Sequence, residues 1–157
     1  MKSLLSPSKL FILFLLSQAI AAPAQDKSRE TFEKSFAATD LKTVMLTAYD
    51  SDVKINTWDS PSVKIHGELI ITDGKGRTDD LEVLRDAFQQ SDFQKNGTTL
   101  EVNARLAKSS TMVAGIYKTV TLFNGKTIKN VSFKTTYELW MPATLALELQ
   151  SKYNKID

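Results

Sequence analysis

The chain has 157 residues, 42% of them hydrophobic and 24% charged, with 20 basic and 18 acidic side chains and no cysteine. That length suits a single domain with one core. The near-balance of charge excludes the strong basic field expected of a nucleic-acid or anionic-membrane binder, and the lack of cysteine excludes a disulfide framework.

The first segment reads as a secretory signal peptide, residues 1–24. Lys2 and Lys9 make a positive n-region, and Leu10-Phe-Ile-Leu-Phe-Leu-Leu16 is a short apolar run. Ala19-Ile-Ala21 and Ala22-Pro-Ala24 both fit the small-residue cleavage rule. The run is far shorter than the roughly 20 apolar residues of a spanning helix, so cleavage is expected to leave no transmembrane segment. Loss of the two lysines leaves 18 basic and 18 acidic residues, a mature chain of net charge near zero. Export follows: periplasmic, cell-surface or secreted.

Residues 25–31 are polar and read as a flexible lead-in. Residues 32–157 form a single β-rich domain, opened by Phe32 and Phe36 on an edge strand. Thr43–Ala48 and Val53–Trp58 alternate with period 2 and carry β-branched and aromatic residues, the marks of strands. Tyr49-Asp-Ser-Asp52 between them is turn chemistry. Val63, Ile65, Gly67, Leu69 and Ile71 alternate with Lys64, His66 and Glu68, a strand with one buried and one wet face.

Residues 79–90 are predicted to be a short helix. Asp79 and Glu82 fit a capping box, and Leu81, Leu84 and Phe88 share one face. Thr98–Leu106 alternates again, 107–115 has no period and reads as a loop, and Ile116–Phe123 is a strand. Asn96-Gly97 and Asn124-Gly125 are hairpin signals of the type I′ kind. Thr127–Met141 is predicted to be one long strand ended by Pro142. Finally, the pattern of Thr43–Asn56 returns as Thr144–Asp157, pairing Ile55 with Ile156. Repetition of a strand–turn–strand unit marks stacked β architectures, and the chain stops inside the second copy.

Few residues suggest chemistry. His66 is the one histidine and alternates outward with Lys64 and Glu68, so no metal site is expected. Asp50 and Asp52 read as turn formers, lacking the further oxygen ligands of a calcium loop. Asp79 and Asp80 suit a helix start, and Ser109-Ser-Thr111 has no neighbouring base. No catalytic residue and no cofactor is expected. The candidate ligand contacts are aromatic: Trp58, Tyr137 and Trp140, a platform for sugars.

Two stretches carry a family resemblance. Val53-Lys-Ile-Asn-Thr-Trp-Asp59 with Ser62-Val-Lys-Ile65, and Tyr137-Glu-Leu-Trp-Met-Pro142 with Leu145-Ala-Leu147 through Tyr153-Asn-Lys-Ile156, resemble the opening of secreted bacterial adhesin-like proteins of the β-strand-repeat type, a family of unknown function. The family's glycine after the tyrosine is Asn154 here, the non-glycine residue that best tolerates positive φ. The resemblance implies a mainly β fold: a β-solenoid or β-helix-like stack with antiparallel hairpins and one short helix, incomplete at the C-terminus. It also implies a non-enzymatic cell-envelope binding or adhesion module. The expected partners are a surface glycan or an envelope protein, with self-association through an exposed edge strand. A carbohydrate-active β-helix enzyme and an envelope-stress regulator are the alternatives.

Overall fold

The computed structural model describes residues 29–73, 75–113, 117–152 and 155–156. The signal peptide, residues 25–28 of the lead-in and the family's Tyr153-Asn154 pair lie outside the described residues. Twelve strands and one helix are present among those described, so the chain is mainly β with one short helix.

β1 (Arg29–Ala37) begins inside the predicted lead-in and pairs antiparallel with β4 (Ser62–Asp73), Arg29 opposite Ile70. Between them lie β2 (Thr43–Tyr49) and β3 (Ser51–Trp58), which belong to different sheets. The predicted four-residue turn contracts to Asp50, with φ of 51°, a left-handed conformation that aspartate tolerates better than most residues. The corner is sealed from inside. Ser51 is 4% exposed, and its hydroxyl meets Tyr49 O at 3.0 Å, Ala104 O at 3.1 Å and Thr135 Oγ1 at 2.9 Å.

α1 (Thr78–Gln89) forms close to its predicted place, but without the capping box. Arg77 occupies the N-cap with no side-chain cap bond, and Asp79 and Asp80 fall in the first turn, where acids favour the helix dipole. Leu84, Ala87 and Phe88 are buried. The Phe88 ring sits 5.0 Å from Phe32 and 6.3 Å from Tyr137, and Arg85 pairs with Glu30 of β1 at 3.2 Å.

β5 (Phe93–Asn96) and β6 (Thr99–Ala104) form a hairpin. The region predicted as a loop is instead β7 (Ala107–Val113), paired antiparallel with β8 (Tyr117–Leu122), which pairs in turn with β9 (Thr127–Lys129). In neither Asn-Gly turn does the asparagine take positive φ; only Gly97 (59°) and Gly125 (81°) do, so the type I′ expectation fails. The predicted long strand is two strands. Asn130, with φ of 55°, separates β9 from β10 (Ser132–Pro142).

The strands make three sheets, in the orders β1-β4-β10-β3-β12, β11-β2-β6-β5 and β7-β8-β9, where β11 is Ala146–Lys152 and β12 is Lys155–Ile156. The first two mix parallel and antiparallel pairs. The expected β-solenoid is not formed: no solenoid and no closed sheet occurs among the described residues. The antiparallel strands β1, β4 and β5 occupy positions that successive parallel turns of a solenoid would need.

The sequence repeat nevertheless has a counterpart. β11 lies parallel on β2 and β12 parallel on β3, so the second copy stacks on the first. Its register is displaced by two residues from the sequence alignment: Leu147 lies beside Val44, Leu149 beside Leu46, and Ile156 beside Val53 rather than Ile55. An even shift keeps every side chain on its own face, which is why the alternation survives it. β6 lies parallel on the other side of β2, setting Leu100, Val102 and Ala104 beside Val44, Leu46 and Ala48. These six residues are buried and belong to one core cluster with Val63, Ile65, Leu69, Tyr137 and Leu139 of the first sheet.

Gly67 marks a tight point in that core. It lies opposite Phe32 on one side and Tyr137 on the other. A β-carbon there would come within 2.5 Å of Phe32 Cε1, so the ring occupies the space that a side chain would need.

Candidate binding site

The three aromatic residues singled out in the sequence are not brought together. Trp140 lies opposite Asn56, and Trp58 opposite Pro142, in the parallel β3–β10 pair, so both indoles stand on the outer face of the first sheet. Trp58 Nε1 donates to Ser62 O at 2.7 Å, and the Lys64 ammonium sits 5.3 Å from the Trp140 ring. Trp58 borders an open groove of about 670 Å³ with Leu41, Pro61, Pro142 and Leu145. Tyr137 has the opposite parity and is 2% exposed, packed among Phe32 and Phe88 at ring distances of 6.3 Å. Burial drives its phenol well above the ordinary tyrosine range; Ser91 opposes that only weakly. The Ser91 hydroxyl donates to Phe88 O at 2.6 Å, and no group meets hydrogen-bond geometry at the Tyr137 hydroxyl. His66 stands on the outer face, opposite Glu33 and Glu138, and no cluster of three or more His, Cys, Asp or Glu side chains suited to a metal occurs among the described residues.

A second, more enclosed concavity was not anticipated. It is a cleft of about 280 Å³ where four elements meet: the end of α1 (Gln90, Ser91), the start of β5 (Asp92), the end of β6 (Asn103, Arg105) and the β8–β9 turn (Phe123, Asn124). Leu106 O accepts from Phe123 N at 3.1 Å, and this bond draws the turn against the end of β6. Asn103 and Arg105 point outward because the alternate residues Val102, Ala104 and Leu106 are buried.

Arg105 is the distinctive group. Arg29, Arg77 and Arg85 pair with Glu68, Asp79 and Glu30, whereas Arg105 has no carboxylate partner among the described residues. Its guanidinium carbon lies 4.2 Å from the Phe123 ring centre and 5.5 Å from that of Tyr49, cation–π contacts that hold the plane of the group. Its Nε is buried with no hydrogen-bond partner. In the same cleft, the Asp92 carboxylate accepts from Gln94 Nε2 at 3.1 and 3.2 Å and from Asn103 Nδ2 at 3.4 Å. Phe123 remains 42% exposed. Arginine, carboxamides, a carboxylate and an exposed ring are equipment for holding a ligand in place. The signal visible in the sequence was Arg105 in phase with outward-facing Asn103, and an aromatic residue directly before a turn.

No family model matches the chain, and neither a curated protein nor a solved structure matches it.

Proposed function

We propose that this protein is an exported, non-enzymatic binding or adhesion module of the cell envelope, built on stacked β units, as its resemblance to the adhesin-like β-strand-repeat proteins suggests. The observation that carries the reading is the open parallel unit formed by β11 and β12. Leu147, Leu149 and Ile156 continue the core stripe of Val44, Leu46 and Val53, yet are 36%, 38% and 39% exposed. β11 and β12 are also edge strands. Apolar side chains beside an open edge form a template for a further β layer.

That layer is either a further solenoid-like turn or another molecule, and a second copy of the chain fits it chemically. In an antiparallel β11–β11 pairing centred on Leu149, the two Leu149 side chains stand directly opposite, and Leu147 of each copy lies diagonal to Leu149 of the other. The bound partner of the whole module is a surface glycan or an envelope protein.

Two measurements test the reading. Sedimentation velocity over a range of concentrations should show association that Leu149→Lys abolishes, and a glycan array or envelope fraction should retain the protein. A concentration-independent monomer that binds neither would overturn the proposal. So would release of reducing sugar that a single acid-to-amide substitution removes, since that result belongs to a carbohydrate-active enzyme. Export is tested by the mature N-terminus, expected to follow Ala21 or Ala24.

A further inference from the structure

We infer that the Arg105 cleft binds a carboxylate-bearing sugar unit of the uronate class. This deepens the binding-module reading and rests on it for the absence of turnover. The volume, about 280 Å³, lies just below the range of drug-sized ligand pockets, roughly 300 to 1,000 Å³, and so suits a single ring rather than an extended chain.

The polarity of the cleft selects among small ligands. Arg105 is the one arginine of the described residues with no acid beside it. Its Nε is sealed from solvent, so the terminal nitrogens are left to meet a ligand. A planar carboxylate is the acceptor that a guanidinium fork matches best. The same lining also carries the reverse sign: the Asp92 carboxylate, and the carbonyl end of α1 at Gln90 and Ser91, where the helix dipole is negative. A bare anion is disfavoured by those groups. A ligand that presents hydroxyl donors to Asp92 and a carboxylate to Arg105 satisfies both.

The third element is apolar. One side of Phe123 is engaged by the Arg105 guanidinium at 4.2 Å, and the residue stays 42% exposed. The free part of such a ring takes the C–H face of a sugar, and Asn124 beside it, whose Oδ1 accepts from Lys126 N at 3.0 Å, keeps its amide N–H groups for ring substituents. Acceptor, donors and apolar face together describe a hexuronate more closely than a neutral hexose, an inorganic anion or a simple fatty acid.

The test is titration of the purified protein with glucuronate and galacturonate, followed by ¹⁵N–¹H spectra that include the arginine Nε–H and carboxamide resonances. Glucose, galactose and acetate serve as comparison probes. The uronates are expected to shift Arg105 and Asn124 signals and to bind about ten-fold tighter than the neutral sugars or acetate. Arg105→Lys, which keeps the charge and loses the fork, should weaken uronate binding about ten-fold. Asn124→Ala, which also removes the exposed turn bond from Lys126 N, should weaken it several-fold while the protein stays folded at the assay temperature, and stands as the second variant if Arg105→Lys does not fold.

Equal affinity for uronates and neutral sugars, or for acetate, overturns the inference, as does full affinity in both variants. Failure here is separable from failure of the wider reading. Glycan binding elsewhere, with no uronate effect at Arg105, removes the site and leaves the module. Turnover of a bound uronide removes the module and leaves the site.

Discussion

Replacing Gly67 with alanine should destabilise the protein through a single clash. The added β-carbon would stand 2.5 Å from Phe32 Cε1 and 2.6 Å from Cζ, against an ordinary carbon–carbon contact of about 3.5–4.0 Å. The Phe32 ring would have to retreat by about 1 Å, and it has nowhere to go. Phe88, Phe93 and Tyr137 surround it at centroid distances of 5.0, 5.6 and 6.3 Å.

Overpacking of this kind costs about 1–3 kcal/mol, and alanine recovers about 0.5–1 kcal/mol of backbone entropy that glycine loses in a strand. A net loss of about 1–2 kcal/mol is expected, which for a domain of this size lowers the thermal midpoint by roughly 4–8 °C. Urea unfolding followed by tryptophan fluorescence should show a lower midpoint at constant slope. Combining Gly67→Ala with Phe32→Leu should recover part of the loss, with a coupling of about 1 kcal/mol. A fully stable Gly67→Ala, or strict additivity in the double variant, would refute the argument that the ring owns this space.

Tyr137→Phe should leave stability at pH 7 unchanged or raise it by up to about 1 kcal/mol, because the buried hydroxyl it removes has no partner in hydrogen-bond geometry. Burial raises the folded phenol's pKa above the unfolded value of about 10, so Tyr137 contributes stability that is complete below about pH 10 and lost as pH rises. The wild type should therefore lose stability relative to Tyr137→Phe by up to about 1.4 kcal/mol per pH unit above that point, measured by urea titration between pH 9 and about 11. Parallel curves would show that the phenol is not buried. Asp50→Gly should be neutral or stabilising by a few tenths of a kcal/mol, and Asp50→Val should cost about 1–2 kcal/mol, since a β-branched residue resists the left-handed region. Equal midpoints for the two variants in differential scanning calorimetry would exclude a strained corner.

Strands that bury one face could be recognised from alternation alone, as β2, β3, β4 and β6 were. β7 could not, because Ser109, Ser110 and Thr111 are all exposed and leave no period to read. Asn130 could not be seen to interrupt an alternating run, since Val131 remains buried beyond it. The parity of Trp58 and Trp140 was visible, and it is the same parity that separates them from Tyr137. The Arg105 cleft could not be assembled in advance. Asp92 reaches Asn103 through the β5–β6 hairpin, and Phe123 reaches Leu106 through the return of the third sheet. Both are facts of pairing rather than of local pattern.

The placement of β10 has a kinetic consequence. β3 and β4 are consecutive in the chain, yet in the finished sheet they are held apart by β10, which pairs with both. Until residues 132–142 arrive, the centre of that sheet cannot form, and the Ser51 corner lacks Thr135. Contacts this distant in sequence are slow to close. A chain emerging from its N-terminus can close β1 on β4 and β2 on β6 early, but β3 stays unattached to the β1–β4 pair until residues 132–142 are present. The late central strand is thus the piece that joins two parts already formed.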